Sequence, residues 1–180
     1  PLRLVGSEMC IRDRFKGKRN IDKINLVSVP TRKDATKYSF NDDYYSHRVQ
    51  IELVNKLFLD EKILQGKQVI QTITKKISGY KSQDIQKQLF DVNWFISLDD
   101  VMECLVNSKL NCFYCSEICE LLYKDCLSKK QWTLDRIDNN MGHNRDNVVI
   151  SCLDCNIKRG DMDYDRFKKG KEIKIVRKQF

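Results

Sequence analysis

The chain has 180 residues, with 33 Lys+Arg against 25 Asp+Glu, eight Cys, two His, seven Gly and two Pro. That length suits one domain of ordinary size or a small domain with a helical extension, and so little Gly and Pro excludes collagen-like and low-complexity chains. The net charge of +8 permits binding to nucleic acid or an anionic surface without establishing it. No apolar run approaches the ~18 residues of a membrane span, and the N-terminus lacks an apolar signal core. The expectation is an intracellular protein, cytoplasmic or nuclear, that is neither secreted nor in a membrane.

Residues 1–14, PLRLVGSEMCIRDR, resemble translated sequencing-adapter read-through and are read as non-native. Residues 15–43 are polar around Pro30 and read as a loop or loosely packed arm. From Tyr44, the spacing of Val49, Leu53 and Leu57 with Ile51, Val54 and Phe58 predicts a helix to about Ile63. A second helix over 67–77 stops near Gly79, and Ser82 caps a third from Gln83. His47 is an ordinary surface histidine in this scheme. Ser97 followed by Asp99 and Asp100 predicts the start of a helix through Val101, Met102 and Leu105, ending near Lys109. Residues 15–95 are therefore a helical region, and a cysteine-organised module begins at about residue 96.

Two C-x-x-C pairs, Cys112/Cys115 and Cys152/Cys155, dominate that module. Two thiolates separated by two residues can turn toward one ion, and two such pairs complete a tetrahedral sulfur site of the kind zinc prefers. Disulfides are the competing reading, and without a secretion signal they are disfavoured. Cys104 reads as a small buried hydrophobe among Val101, Met102 and Leu105, and Cys119 and Cys126 as buried or free thiols, with an extension of metal binding as the alternative. Between the pairs, residues 132–137 alternate as a strand and residues 147–151 form a second, β-branched one. The segment 138–146 between them is turn-rich, and a helix begins after Cys152 with Asn156 on its first turns. Trp132 and Phe113 are expected to pack the module.

The stretch WTLDRIDNNMGHNRDNVVISCLDCNIKRG, taken with the upstream CFYC, resembles the HNH endonuclease family in its zinc-bound, treble-clef-like form. With the preceding helix it also resembles HNH proteins of large DNA viruses and phages. The likeness covers about residues 110–162. Together with the elements read above, the expectation is an α+β fold: a helical N-terminal part, then a small zinc-stabilised module over 96–170, of ββα-metal type by the resemblance, then a basic tail over 171–180. The likeness implies structural Zn2+ on Cys112, Cys115, Cys152 and Cys155. It further implies Asp135 as the acidic metal ligand, Asn147 as the residue that orders the loop, and Asn156 as the ligand on the helix. An Asp carboxylate with an Asn carbonyl suits Mg2+ or Mn2+.

One position departs from the family. Where the general-base His usually follows the acidic ligand, this chain has Arg136, whose guanidinium cannot abstract a proton near neutral pH. Arg136 is expected instead to hold the scissile phosphate. His143 is the candidate replacement base, with Asp138 or a metal-bound hydroxide as alternatives. Lys158, Arg159, Lys168, Lys169 and Lys171 form a basic stretch that by default is a solvated charged face, in a position that favours phosphate contacts. The expectation is an endonuclease hydrolysing phosphodiester bonds of double-stranded DNA with a divalent ion. A catalytically inactive zinc-stabilised nucleic-acid-binding module and a protein-interaction zinc domain are the alternatives.

Overall fold

The computed structural model describes residues 38–126 and 128–173. The adapter-like segment 1–14, most of the polar arm with Pro30, and the end of the basic tail lie outside them. The described chain is α+β, with five α-helices and one two-stranded antiparallel sheet. After a 3-10 turn at Asp42–Tyr45 come α1 (His47–Phe58), α2 (Gly66–Gln86) and α3 (Leu98–Ser108). The strands β1 (Trp132–Arg136) and β2 (Val148–Cys152) follow, then α4 (Leu153–Arg159) and α5 (Tyr164–Glu172). Among the described residues, no helix is long and apolar enough to cross a membrane.

The predicted break at Gly79 does not occur, and α2 runs unbroken through it. Val69, Ile73, Ile77, Tyr80 and Asp84 recur every three or four residues and are all buried, so one face is held along the whole length. Gly79 lies on the opposite side, exposed, with nothing within 4 Å of where a Cβ would stand. A single solvent-facing glycine costs the helix only about 1 kcal/mol, which that packing offsets. Ser82 is not a cap: its hydroxyl donates to the Ser78 carbonyl one turn back, at 3.0 Å.

The α3 prediction meets its capping chemistry. Ser97 Oγ accepts from the Asp100 amide at 3.2 Å, while Asp100 Oδ2 accepts from the Ser97 amide at 2.9 Å. The helix stops where Lys109 and Leu110 both turn left-handed, at φ 51° and 54°. Neither is glycine, so this turn is strained, and full burial of Leu110 helps hold it. The chain leaves it aimed into the first cysteine pair.

In the hairpin, Trp132 pairs with Cys152, Leu134 with Ile150 and Arg136 with Val148. One buried apolar cluster runs from Leu53 and Ile73 through Leu105 to Trp132, Leu134 and Phe167, crossing the boundary at residue 96. Polar contacts cross it too. Gln50 on α1 is buried, accepts from the Leu121 amide at 2.7 Å and donates to the Leu122 carbonyl at 3.0 Å. On α2, the Tyr80 hydroxyl accepts from the Leu134 amide at 3.0 Å, and Lys76 donates to the Trp132 carbonyl. The Lys76 ammonium also lies 4.6 Å from the Trp132 ring centroid, and burial pushes its pKa down to about 7.

Helix α5 was not foreseen, because Phe167 is its one buried residue. Asp163 caps it, accepting from the Arg166 amide at 2.9 Å. Phe167 packs edge-on against Tyr114 at 5.0 Å, and Lys168 lies 4.0 Å over the Phe113 ring.

Candidate metal centre and the adjoining hairpin

The first cysteine pair sits in a tight turn. The Cys112 amide donates to the Glu117 carbonyl at 2.8 Å, and the Ser116 amide to the Cys112 carbonyl at 2.9 Å. Ser116 takes φ 58° to close that turn, and the Phe113 amide joins it to β2 through the Ile150 carbonyl at 2.9 Å. The second pair spans a strand end and a helix start. Cys152 closes β2 and is the N-cap of α4, its sulfur accepting from the Cys155 amide at 3.4 Å. The carbonyls of Gln131 and Lys129 accept from the next amides, Leu153 and Asp154, at 3.0 and 3.1 Å. A helix N-terminus thus points positive potential at the sulfurs, which favours their ionised form.

The ligand atoms of Cys112, Cys115, Cys152 and Cys155 all lie within 4.8 Å of one another, and Cys115 Sγ is 4.0 Å from Cys152 Sγ. A tetrahedron of sulfurs at ~2.3 Å from a zinc ion has edges of about 3.8 Å, so the cluster has the right size for such an ion. All seven described cysteines are free thiols. Crowding sets their protons in competition. Cys112 is driven toward the thiolate because Cys119, Cys152 and Cys155 donate to it, and each of those three is held protonated by that donation. A divalent ion would let all four sulfurs ionise together. Cys119, fully buried as the sequence suggests, is therefore a neighbour of the cluster.

Asn147 orders the hairpin loop. Its Oδ1 accepts from the Asp138 amide at 2.8 Å, and its Nδ2 donates to the carbonyls of Asp138 and Gly142 at 2.9 and 3.0 Å. Gly142 is needed because a Cβ there would stand 2.5 Å from the Leu89 carbonyl oxygen. Asp138 is occupied within the loop, its Oδ1 accepting from the Asn140 amide at 2.9 Å.

Side chains alternate along β1, so Thr133 and Asp135 share the face that α4 covers, and Arg136 projects from the other. Asn156 meets that covered face: its Nδ2 donates to Thr133 Oγ1 at 3.1 Å and to the Leu134 carbonyl at 3.3 Å. With both amide hydrogens bound, its Oδ1 accepts no bond among the described residues. Asp135 and Asn156 are thus on one face, but Asp135 is fully engaged. Its Oδ1 takes Arg159 Nη1 at 2.7 Å and its Oδ2 takes the Tyr114 hydroxyl at 2.8 Å.

Asp135 is 6% exposed and Arg159 2%. Burial raises the Asp135 pKa, with Arg159 and Tyr114 opposing the shift. As these side chains stand, each Asp135 oxygen already accepts one hydrogen bond and the Arg159 guanidinium balances the carboxylate charge, so the pair is not laid out as an open site for Mg2+ or Mn2+. Arg159, expected among the phosphate-facing cations, instead turns inward, with Nη2 on the Ile137 carbonyl at 2.9 Å and Nε unpartnered. Lys158 and Lys169 pair with Asp154 and Asp165, at 2.6 and 2.5 Å.

Arg136 and His143 lie elsewhere. Arg136 Nη1 donates to the carbonyls of Asn139 and Met141 at 3.1 and 3.0 Å, bracing the loop. His143 is not a solvated loop residue. It is buried against the Tyr80 ring at 4.6 Å, with Nδ1 2.8 Å from Asp84 Oδ1 and its amide donating to Asp84 Oδ2 at 2.6 Å. Burial lowers its pKa, against the pull of Asp84. Asp84, Tyr80 and Tyr114 are the site neighbours that sequence reasoning missed. Asp84 and Tyr80 are 59 and 54 residues from their partners, and no local pattern carries that pairing. Arg159, by contrast, stands three residues after Asn156, a spacing that puts both on one helix face. No family model, curated protein or solved structure matches this chain.

Proposed function

We propose that this chain is an HNH-type DNA endonuclease whose module is held by structural zinc on Cys112, Cys115, Cys152 and Cys155. The observation that carries the reading is the common face of Asp135 and Asn156, beside a hairpin loop closed by Asn147. That is the relation the family resemblance expects of these three residues. Zinc is favoured because four soft sulfurs with no oxygen or nitrogen donor make a closed site suited to a structural role.

The chain's own residues set the conditions for hydrolysis. Asn156 keeps its side-chain carbonyl oxygen unbonded among the described residues, and Asp135 would hold a divalent ion beside it, as a Lewis acid for phosphate, only with the Arg159 guanidinium displaced from its Oδ1. Arg136 holds its proton at any working pH and acts on the loop carbonyls, so its part is to keep the loop in shape.

The Asp135–Arg159 pair favours a second reading, a zinc-stabilised module that binds DNA without cutting it. Nicking of supercoiled plasmid by the full chain in Mg2+ and in Mn2+ separates the two. The endonuclease reading expects nicking by the wild type and none by Asn156→Ala, which keeps its fold and zinc. Salt-dependent DNA binding with no nicking in either ion selects the second reading. Neither binding nor nicking defeats both.

A further inference from the structure

Two tryptophans sit in opposite surroundings. Trp132 is 1% exposed in the core, whereas Trp94 is 60% exposed in the segment joining α2 to α3. An exposed indole on a floppy loop would mean little, but this one is fixed on both sides. The Arg145 amide donates to the Trp94 carbonyl at 3.1 Å, and the Ile96 amide to the His143 carbonyl at 2.9 Å. Phe95 forms a β-bridge with Asn144, and its ring packs on Phe90 at 5.4 Å, with Lys81 4.9 Å from the Phe90 centroid. The amides of Trp94 and Phe95 both return to the Asp91 carbonyl, at 3.4 and 2.9 Å. The segment is therefore clamped to the hairpin loop, and Trp94 is presented with little left to order on contact.

The neighbouring charges suit an anionic chain. Arg145, whose backbone amide bonds the Trp94 carbonyl, has a side chain 67% exposed with its Nε 2.9 Å from Asp100 Oδ1. Of the nearby acids, Asp100 is paired with Arg145 and Ser97, and Asp91 accepts from the Asn93 amide at 2.9 Å. What remains outward is a flat aromatic ring on a chain of net charge +8, with the Arg145–Asp100 pair on the residue that clamps it, and an exposed ring on a basic protein is what stacks a base of an anionic strand.

We propose that Trp94 is a stacking platform for an unpaired nucleobase of the bound DNA, next to the hairpin loop braced by Arg136. The inference rests on the nucleic-acid partner of the reading above and adds the contact that engages it. The occupant is a single-stranded or locally opened segment, because a base inside a duplex offers no free face to the indole.

Intrinsic fluorescence tests this directly on the zinc-loaded full chain, since Trp132 is shielded and Trp94 is not. A single-stranded oligonucleotide should quench the exposed component. A Trp94→Leu variant should bind that oligonucleotide about tenfold more weakly, the scale of losing one base–aromatic stack, with duplex affinity nearly unchanged. Oligonucleotide binding seen by anisotropy, with no quenching and equal affinity of wild type and variant, overturns the Trp94 role and leaves the DNA reading standing. No binding of either DNA overturns both. Concentration-dependent dimerisation in sedimentation that Trp94→Leu abolishes would assign the face to a second copy instead.

Discussion

Asp135 and Arg159 form a buried ion pair whose members have few other partners. Breaking such a pair leaves one charge stranded, at a cost of about 3–5 kcal/mol, whereas removing both charges together costs far less. Arg159→Met should therefore lower the urea midpoint sharply, and the double variant Asp135→Asn/Arg159→Met should recover most of the loss. A double variant whose loss equals the sum of the losses of Asp135→Asn and Arg159→Met measured singly would show that the charges are uncoupled. His143 gives a pH signature. Its folded pKa is depressed, so its contribution to stability is complete above the unfolded value of about 6.5 and is lost as pH falls through the folded one. Stability measured between pH 7.5 and 5 should decline more steeply in the wild type than in His143→Gln. The family resemblance singles out Asp135, Asn147 and Asn156, but the sequence conceals what pairs with Asp135. Tyr114 and Arg159 reach that carboxylate only because a knuckle and a helix converge on one strand face.

Among elements, those with local rules were legible and those with remote partners were not. The capping box announced α3, and β-branched residues announced β2. Helix α2 was read as two pieces because Gly79 outweighed an apolar stripe whose partners lie elsewhere in the core. The four cysteines were readable because two close pairs need no long-range information to suggest a shared ion. They join the Cys112 turn to the β2–α4 junction, so that junction should depend on the metal. Strong chelation, or Cys152→Ser, should abolish the one equivalent of zinc expected per chain and collapse the hairpin–α4 unit. Structural zinc in comparable small units carries roughly 10–16 kcal/mol of apparent binding energy. Metal analysis with circular dichroism and thermal melting checks this, and an unchanged melt after complete metal removal would refute it.

At the scale of the molecule, the helical part and the cysteine module share a core, so the helices are structural support for the hairpin as well as its neighbours. Gln50 is the sharpest test. Gln50→Leu keeps the volume roughly constant but strands the Leu121 amide and the Leu122 carbonyl, at about 1–3 kcal/mol for each buried group left unpaired. The variant should unfold in a single transition at lower denaturant. Two separate transitions, with only the second unaffected, would mean that the parts unfold independently. Nothing in residues 47–58 marked Gln50 as other than a polar interruption of an apolar face, because its partners lie 71 and 72 residues away.

That distance also bears on how the protein is assembled during synthesis. Helix α1 carries Gln50, and it leaves the ribosome well before either cysteine pair. Residues 121–122 can then dock on a surface already made, shortening the search that brings Cys112 and Cys115 to Cys152 and Cys155. A metal ion held by the four sulfurs would then be captured last, by a chain already partly ordered, rather than serve as the nucleus from which order spreads.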